Sequence, residues 1–110
     1  TRSFHVTGVQ TCALPIYMER ASHLYRIAQE ALHNVVKHSG ATQVRVRLAR
    51  EGNEGRLEIA DNGKGLEKGS TPGLGLGVME HRARVIGGHL TVNSRRGRGV
   101  TIACRWSESG

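Results

Sequence analysis

A stretch rich in glycine divides this chain in two and limits the folds open to it. Residues 63–77 contain six glycines and one proline. Glycine adds backbone freedom and proline lacks an amide donor, so this composition excludes regular structure over most of that length. The stretch is either a functional loop or a disordered gap, and the regular elements must lie before and after it.

The segment that precedes the glycine-rich stretch predicts one helix followed by two strands. From residue 17 to about residue 38, apolar residues recur at the i, i+3, i+4 and i+7 spacing of an amphipathic helix, and Gly40 is suited to end it. Apolar and polar residues then alternate over 44–49 and again over 57–59, the period of two that indicates strands. The apolar positions of the helix are Leu24, Ile27, Ala28, Ala31 and Val35.

The segment that follows the stretch predicts a second helix and two more strands. A short helix over about 78–86 is closed by Gly87 and Gly88, and alternating apolar residues predict strands over 90–92 and 100–106. This order of elements is typical of helices packed on one face of a mixed, mostly antiparallel sheet. We therefore predict an α+β fold, a two-layer sandwich.

Chain length and charge narrow the class of protein. At 110 residues the chain is long enough for one compact domain, so any sensor, dimerisation or output module must lie elsewhere. Its 16 Lys and Arg against 9 Asp and Glu give a formal net charge of +7, which suits an anionic partner. Only residues 95–98 are dense in arginine, and this spread favours a solvated basic surface over a nucleic-acid interface.

Cysteine usage and hydropathy indicate a cytoplasmic domain. Cys12 and Cys104 lack metal-type spacing, which argues against a zinc site or a disulfide framework. No apolar stretch approaches the ~20 residues needed to cross a bilayer, so we expect no membrane contact by this chain. On the last predicted strand, we expect Cys104 to be a buried apolar residue and Trp106 to cap the sheet edge.

Three polar residues on the first predicted helix form the first candidate site. Glu30, Asn34 and Lys37 fall at i, i+4 and i+7, so their side chains share one stripe. An Asn oxygen, with a water held by Glu, would suit magnesium, which prefers hard oxygen ligands, and Lys37 could meet a phosphate. The alternative is an ordinary polar helix face.

The second candidate is the run Asp61-Asn62-Gly63-Lys64-Gly65 at the end of a predicted strand. An Asp placed there can accept a hydrogen bond from an exocyclic amine such as that of adenine, while the glycines let the backbone approach the ring. The alternative is a plain Asp-Asn-Gly turn, because these residue pairs are common turn formers.

The third candidate is the run Gly73-Leu74-Gly75-Leu76-Gly77, which leads into the second helix. Exposed glycine amides and the partial positive charge of a helix N-terminus could together cradle a polyphosphate. The run fits neither the P-loop pattern nor the dinucleotide-binding fingerprint of a βαβ unit. Taken alone, it is weak evidence for a nucleotide site.

The order of these three motifs carries a resemblance. Glu-x-x-x-Asn on a helix, Asp-x-Gly-x-Gly after a strand and Gly-x-Gly-x-Gly before a helix resemble the ATP-binding domain of bacterial sensor histidine kinases. That domain belongs to the gyrase, heat-shock chaperone, histidine kinase and mismatch-repair ATPase superfamily. The resemblance covers residues 23–106. The amino-acid sequence of residues 24–32 and 37–41 is similar to that of nitrate and cell-envelope stress sensors. It implies a Bergerat-type ATP-binding fold.

The resemblance also implies roles for individual residues. Asn34 would ligate magnesium, and Glu30 would organise a metal-bound water or assist proton removal from the attacking histidine. Asp61 would bind the adenine amine. Thr101 lies near the closing Gly-x-Gly-Thr motif of the family, but Val100 stands where that motif has its first threonine. The other implied nucleotide-binding positions are Lys37 and His38 near the phosphates, Gly63 and Gly65 at the adenine wall, and Gly73, Gly75, Leu76 and Gly77 in the lid and phosphate cradle.

The implied function is phosphoryl transfer from ATP-Mg²⁺ in two-component signalling. The acceptor would be a histidine on the protein's own dimerisation domain, which is absent from this chain, and the next partner a response regulator. The parent protein would be a homodimer, whether or not it is anchored in a membrane. Two alternatives stay open: a related ATPase module of the chaperone or topoisomerase type, and a non-enzymatic basic binding module.

The N-terminal segment carries a different resemblance. Residues 6–16 resemble the conceptual translation of a common sequencing adapter. On this interpretation residues 1–16 are non-native, residues 17–107 form the ATPase domain and residues 108–110 are a tail. Because the family's domain begins with a strand before the first helix, we expect an N-terminally truncated fold with one unpaired sheet edge. The alternative is a genuine strand that ends at Pro15.

Overall fold

The fold is a sheet with two helices on one of its faces. The computed structural model describes residues 5–6, 10–11, 18–64, 75–95 and 98–107. In chain order its elements are β1 (His5–Val6), β2 (Gln10–Thr11), α1 (Met18–Asn34), a π-helical turn (Val35–Ser39), β3 (Gln43–Glu51), β4 (Glu54–Asp61), α2 (Leu76–Val85), β5 (Gly88–Arg95) and β6 (Gly99–Ser107).

The first helix forms where its apolar spacing predicts it, but its last turn widens. α1 buries the residues of its apolar stripe against the sheet, and from residue 35 the backbone adopts π-helical geometry. Gly40 closes the helix in the left-handed conformation, with φ of 67°, so the predicted end of the helix is confirmed. The buried residues of this stripe are Leu24, Ile27, Ala31 and Val35.

The sheet is antiparallel through its four long strands. Its order is β1-β3-β4-β6-β5, and β2 also pairs with β3. Both β1 and β2 run parallel to β3, at the edge that the sequence predicted to be unpaired. That prediction is wrong for the stretches where β1 and β2 pair. An edge strand offers backbone donors and acceptors to any extended segment, whatever its side chains, so side-chain patterns did not indicate this pairing.

The core lies between the helices and the helix-facing side of the sheet. Leu57 of β4 pairs with Cys104 of β6, and Ile59 pairs with Ile102. All four side chains are buried, together with Met79 of α2. The period of two seen in the sequence therefore separates an apolar face under the helices from an open polar face.

Several of the arginines that are spread along the sequence lie on the open face of the sheet. Glu58 is buried on this face, with ion pairs to Arg56 and, at 3.8 Å, to Arg45. Arg105 approaches Glu54 to 4.0 Å. A buried carboxylate is costly unless it is paired, and the two arginines supply the pairing. Arginines on this face of the described strands are Arg45, Arg47, Arg56 and Arg105.

Trp106 lies in the core, so its prediction as a cap on the sheet edge is wrong. It is 2% exposed and sits on β6, between β4 and β5. Its indole packs directly on Gly55 of β4, and a Cβ at that glycine would overlap with the ring. The indole can lie this close to β4 because Gly55 has no side chain.

Cys104 is confirmed as a buried residue, and its environment predicts an unreactive thiol. It is 0% exposed, and burial raises its pKa from 9.0 to about 11. At pH 8 the thiolate fraction is then about 100-fold lower than in an exposed cysteine, because each pKa unit is a factor of ten. In a Cys12→Ser background, we expect iodoacetamide to label the native protein far more slowly than the urea-unfolded protein.

The same pKa gives the direction of the pH dependence. Above pH 9 the unfolded thiol loses its proton while the folded one retains it, so stability falls as pH rises from 9 to about 11. A Cys104→Ala variant removes this contribution and serves as the control in urea titrations at pH 8 and pH 10. Equal labelling rates for native and unfolded protein would contradict the burial of this thiol.

Candidate functional site

Asp61 is the last residue of β4, and its carboxylate is held by the backbone around it. Oδ1 accepts hydrogen bonds from the amides of Gly63 at 2.8 Å and Val100 at 3.4 Å. Oδ2 makes no hydrogen bond to any residue in the described part of the chain. The side chain is half-buried, so the carboxylate is oriented while one of its oxygens stays available to a donor.

The start of β6 packs against the same residue. Gly99 has φ of 97°, and a Cβ there would overlap with the carbonyl oxygen of Asp61 and lie 3.0 Å from Oδ1. The amide of Val100 follows directly and donates to Asp61. Thr101 pairs with Ala60 and lies on the open face of the sheet, opposite the helices. The contact to Asp61 from this strand is therefore made by Gly99 and Val100.

Glu30 and Gly75 meet where α1 passes the start of α2. Gly75 has φ of 70° and precedes the first residue of α2. A Cβ at this position would overlap with the carboxylate of Glu30, which is half-buried. Only glycine combines this backbone conformation with this close approach. The structure thus brings together residues from the first and third sequence motifs.

Asn34 and Lys37 follow Glu30 along α1 and the π-helical turn. Asn34 is half-buried one turn after Glu30, as the i, i+4 spacing predicts. Lys37 is exposed and lies in the π-helical turn. The i+7 spacing on which Lys37 was placed assumes an uninterrupted α-helix, whereas the structure has a π-helical turn here. Wide turns of this kind are frequent at functional sites.

The structure describes some of the remaining candidate site residues and not others. Gly63 is buried, Leu76 is half-buried against the core, and Gly77 is exposed with open space around it. Gly65, Gly73 and the side chain of His38 lie outside the described part of the structure. Among the described residues, no group of three or more His, Cys, Asp or Glu could hold a metal ion.

Asn62 makes contacts that the sequence interpretation missed. Its Oδ1 accepts from the amides of Thr42 and Gln43, both at 3.0 Å, and its Nδ2 donates to Thr42 Oγ1 at 3.2 Å. Its own amide donates to the carbonyl of Gln43 at 3.2 Å. In the sequence, Asn62 is indistinguishable from a common turn former, and its partners lie about 20 residues away in the chain.

Solved structures of histidine kinases share this fold. The Erythrobacter litoralis EL346 blue-light activated histidine kinase matches with a TM-score of 0.83 at 20% identity, over 93% of this chain and 35% of that chain. The ATP binding domain of PrrB from Mycobacterium tuberculosis matches with a TM-score of 0.71 at 24% identity, over 94% and 81% of the two chains. The fold is therefore that of a histidine kinase ATP-binding domain.

The chain belongs to the family of histidine kinase-, DNA gyrase B- and HSP90-like ATPases, whose model matches residues 19–109. The sensor histidine kinase LiaS of Bacillus subtilis (strain 168) is 44% identical over 82 residues, 73% of this chain and 23% of LiaS. The nitrate/nitrite sensor protein NarX of Escherichia coli (strain K12) is 35% identical over 85 residues, 76% of this chain and 14% of NarX.

The relatives confirm the resemblance to sensor histidine kinases that the sequence motifs indicated. This chain spans about a quarter or less of the length of LiaS and NarX. Within the described residues, neither helix has the length and apolar character required to cross a membrane.

Proposed function

We propose that this domain binds ATP with Mg²⁺ and supplies the phosphoryl group for autophosphorylation of a histidine on a separate dimerisation domain. The observation that carries the proposal is the Asp61 carboxylate, with Oδ1 fixed by backbone amides and Oδ2 open to a donor. An adenine amine fits that oxygen, and Gly63, which has no side chain, would let the backbone approach the ring.

The α1 side of the site offers the donor chemistry that magnesium needs. Glu30 and Asn34 present a carboxylate and an amide oxygen one helical turn apart, and both are hard oxygen donors. Asn34 would ligate the ion and Glu30 would hold a water beside it. When bound, ATP-Mg²⁺ supplies the γ-phosphoryl group with part of its charge neutralised. Lys37, exposed on the π-helical turn, would approach the phosphates as a point charge.

The protein's own part in the reaction is positioning and proton handling. Glu30 would accept the proton of the attacking histidine or orient a water, and its carboxylate lies beside Gly75, where a Cβ would overlap with it. Gly73, Gly75 and Gly77 would form the lid and phosphate cradle, and Gly65 would shape the adenine wall together with Gly63. His38, Leu76 and Thr101 complete the proposed nucleotide-binding residues.

The partners and the domain bounds belong to the same proposal. The phosphoryl group would pass from the acceptor histidine to a response regulator, in a homodimeric parent that signals in the cytoplasm. We assign residues 17–107 to the ATPase domain, a range that the family match over 19–109 supports, and we treat residues 1–16 as non-native although β1 and β2 pair with β3. The names of the relatives favour a sensor kinase over a chaperone or topoisomerase module and over a basic binding module.

Calorimetric titration of the purified chain with ATP tests the proposal. We expect magnesium-dependent binding, and we expect Asp61→Asn to weaken it roughly 10- to 100-fold, since a hydrogen bond to a charged group contributes ~1.5–3 kcal/mol. Asparagine keeps an oxygen for the backbone amides but turns an NH₂ group toward the adenine amine. Asn34→Ala is expected to abolish the magnesium dependence.

Glu54→Gln is the matched control for this titration. It removes the same charge from the opposite end of β4, where Glu54 is exposed, and should leave ATP affinity unchanged. ATP affinity in Asp61→Asn equal to that of the unmodified chain would refute the adenine site. Salt-sensitive DNA binding that ignores both site substitutions would instead support a basic binding module.

A further inference from the structure

The side chain of Asn62 adds to the backbone pairing that joins the end of β4 to the segment that follows the first helix. Asn62 comes directly after Asp61, and its amide group bonds Thr42 and Gln43, which follow the Gly40 cap of the first helix. The backbone hydrogen bond from Asn62 to Gln43 extends the β3–β4 ladder beyond its last pair, Val44 with Asp61. We call this set of bonds the Asn62 clamp.

The chemistry of the clamp selects asparagine. The Oδ1 atom accepts from two successive amides, while Nδ2 donates to the Thr42 hydroxyl. Among short side chains only asparagine offers both an acceptor and a donor in this arrangement. Aspartate would keep the acceptor and lose the donor, and alanine would lose both, leaving the two amides to water.

The clamp links the two segments of the chain that carry the halves of the proposed nucleotide site. Asp61, which would bind adenine, directly precedes Asn62, and Thr42 follows the helix that carries Glu30 and Asn34, which would face the phosphate end. A nucleotide that contacts both halves must match the distance between them, whereas adenosine contacts only the Asp61 half. A mutation outside the site that displaces a binding group by about 1 Å can weaken binding or slow the reaction.

We propose that Asn62 is a positioning residue that fixes the end of the first helix relative to Asp61 and thereby couples adenine binding to phosphate binding. This inference rests on the proposed ATP site. It assigns Asn62 no contact with the nucleotide. Its effect is therefore specific to ligands that span both halves of the site.

Titration of the full chain with adenosine and with Mg-ATP tests this coupling. We expect Asn62→Ala to weaken Mg-ATP binding about tenfold, the order expected for losing hydrogen bonds from one side chain, and adenosine binding less than about threefold. Asn62→Asp, which retains the Oδ1 acceptor, should restore most of the Mg-ATP affinity. Thr42→Val removes only the Nδ2 partner and should have a smaller effect than Asn62→Ala.

The outcomes separate this inference from the proposed function. If the unmodified chain binds no ATP, the ATP site is wrong and the positioning role falls with it. If the chain binds ATP but Asn62→Ala weakens adenosine and Mg-ATP equally, the ATP site stands and the positioning role is refuted. Equal affinities of Asn62→Ala and the unmodified chain for Mg-ATP refute it as well.

A measurement on the unmodified chain does not depend on the folding of any variant. Hydrogen exchange of the Thr42 and Gln43 amides reports opening of the clamp, since both donate to Asn62. We expect Mg-ATP to slow this exchange more than saturating adenosine does. Identical exchange with the two ligands would overturn the coupling.

Discussion

Replacing Trp106 with alanine is expected to lower the free energy of unfolding by about 3–5 kcal/mol, the range for aromatic residues truncated in a core. The indole is 2% exposed and fills the space over Gly55, between β4 and the helices. Because Gly55 has no side chain to move into the vacated volume, the cavity cannot close from that side. Domains of this size are stable by only ~5–15 kcal/mol, so much of the stability would be lost.

Urea unfolding followed by circular dichroism measures this loss. Tyr25→Ala is the matched control, because it truncates an aromatic residue that is 64% exposed on α1. Changes on the surface are usually within ~0.5 kcal/mol, so the control should unfold near the midpoint of the unmodified chain. Equal midpoints for the Trp106 and Tyr25 variants would show that the indole is not part of the core.

Replacing Gly99 with alanine is expected to destabilise the domain by about 2–5 kcal/mol and to weaken ATP binding at the proposed site. With φ of 97°, an L-residue pays roughly 1–2 kcal/mol in backbone strain. The new Cβ also overlaps with the carbonyl oxygen of Asp61, and overpacking adds about 1–3 kcal/mol. Since the obstacle is backbone, relief requires that the end of β4 move, and Asp61 moves with it.

Gly87→Ala separates the strain from the overlap. Gly87 also has positive φ, at 75°, but a Cβ there meets nothing within 4 Å. This variant should lose only the ~1–2 kcal/mol of backbone strain and keep its ATP affinity. Urea unfolding and ATP titration of both variants give the comparison. If Gly99→Ala matches Gly87→Ala in both measurements, the packing of β6 on Asp61 does not hold the site in place.

The sequence predicted the fold because both halves of the chain carry clear periodicity. The 3.6-residue spacing around Ile27 and the alternation around Ile59 and Ile102 each select one buried face, and the structure buries those faces. The ends of the elements were predicted less accurately than their order. The helix α2 begins at Leu76, two residues before its predicted start, because Gly75 takes the left-handed conformation directly before it. Local periodicity contains little information on where a helix begins.

The candidate site was predicted to a different degree at each position. Asp61 and Glu30 could be selected because their motifs have a recognisable order along the chain. Asn62 and Gly99 could not, since their importance lies in contacts to Gln43 and to Asp61 that are far away in sequence. Asparagine beside glycine, and glycine in a turn, have the same appearance whether or not such contacts exist.

The order of helices and strands, their buried faces and the family could be inferred from the sequence, because they depend on local patterns and on the order of motifs along the chain. The pairing of the strand edges, the burial of Trp106 and the contacts that hold Asp61 became visible in the folded chain. Each of these depends on backbone groups and glycine surfaces brought together by folding, and backbone groups are the same in every sequence. At the end of the glycine-rich stretch, Gly75 lies so close to the carboxylate of Glu30 that a Cβ would overlap with it, a contact that glycine content alone did not indicate.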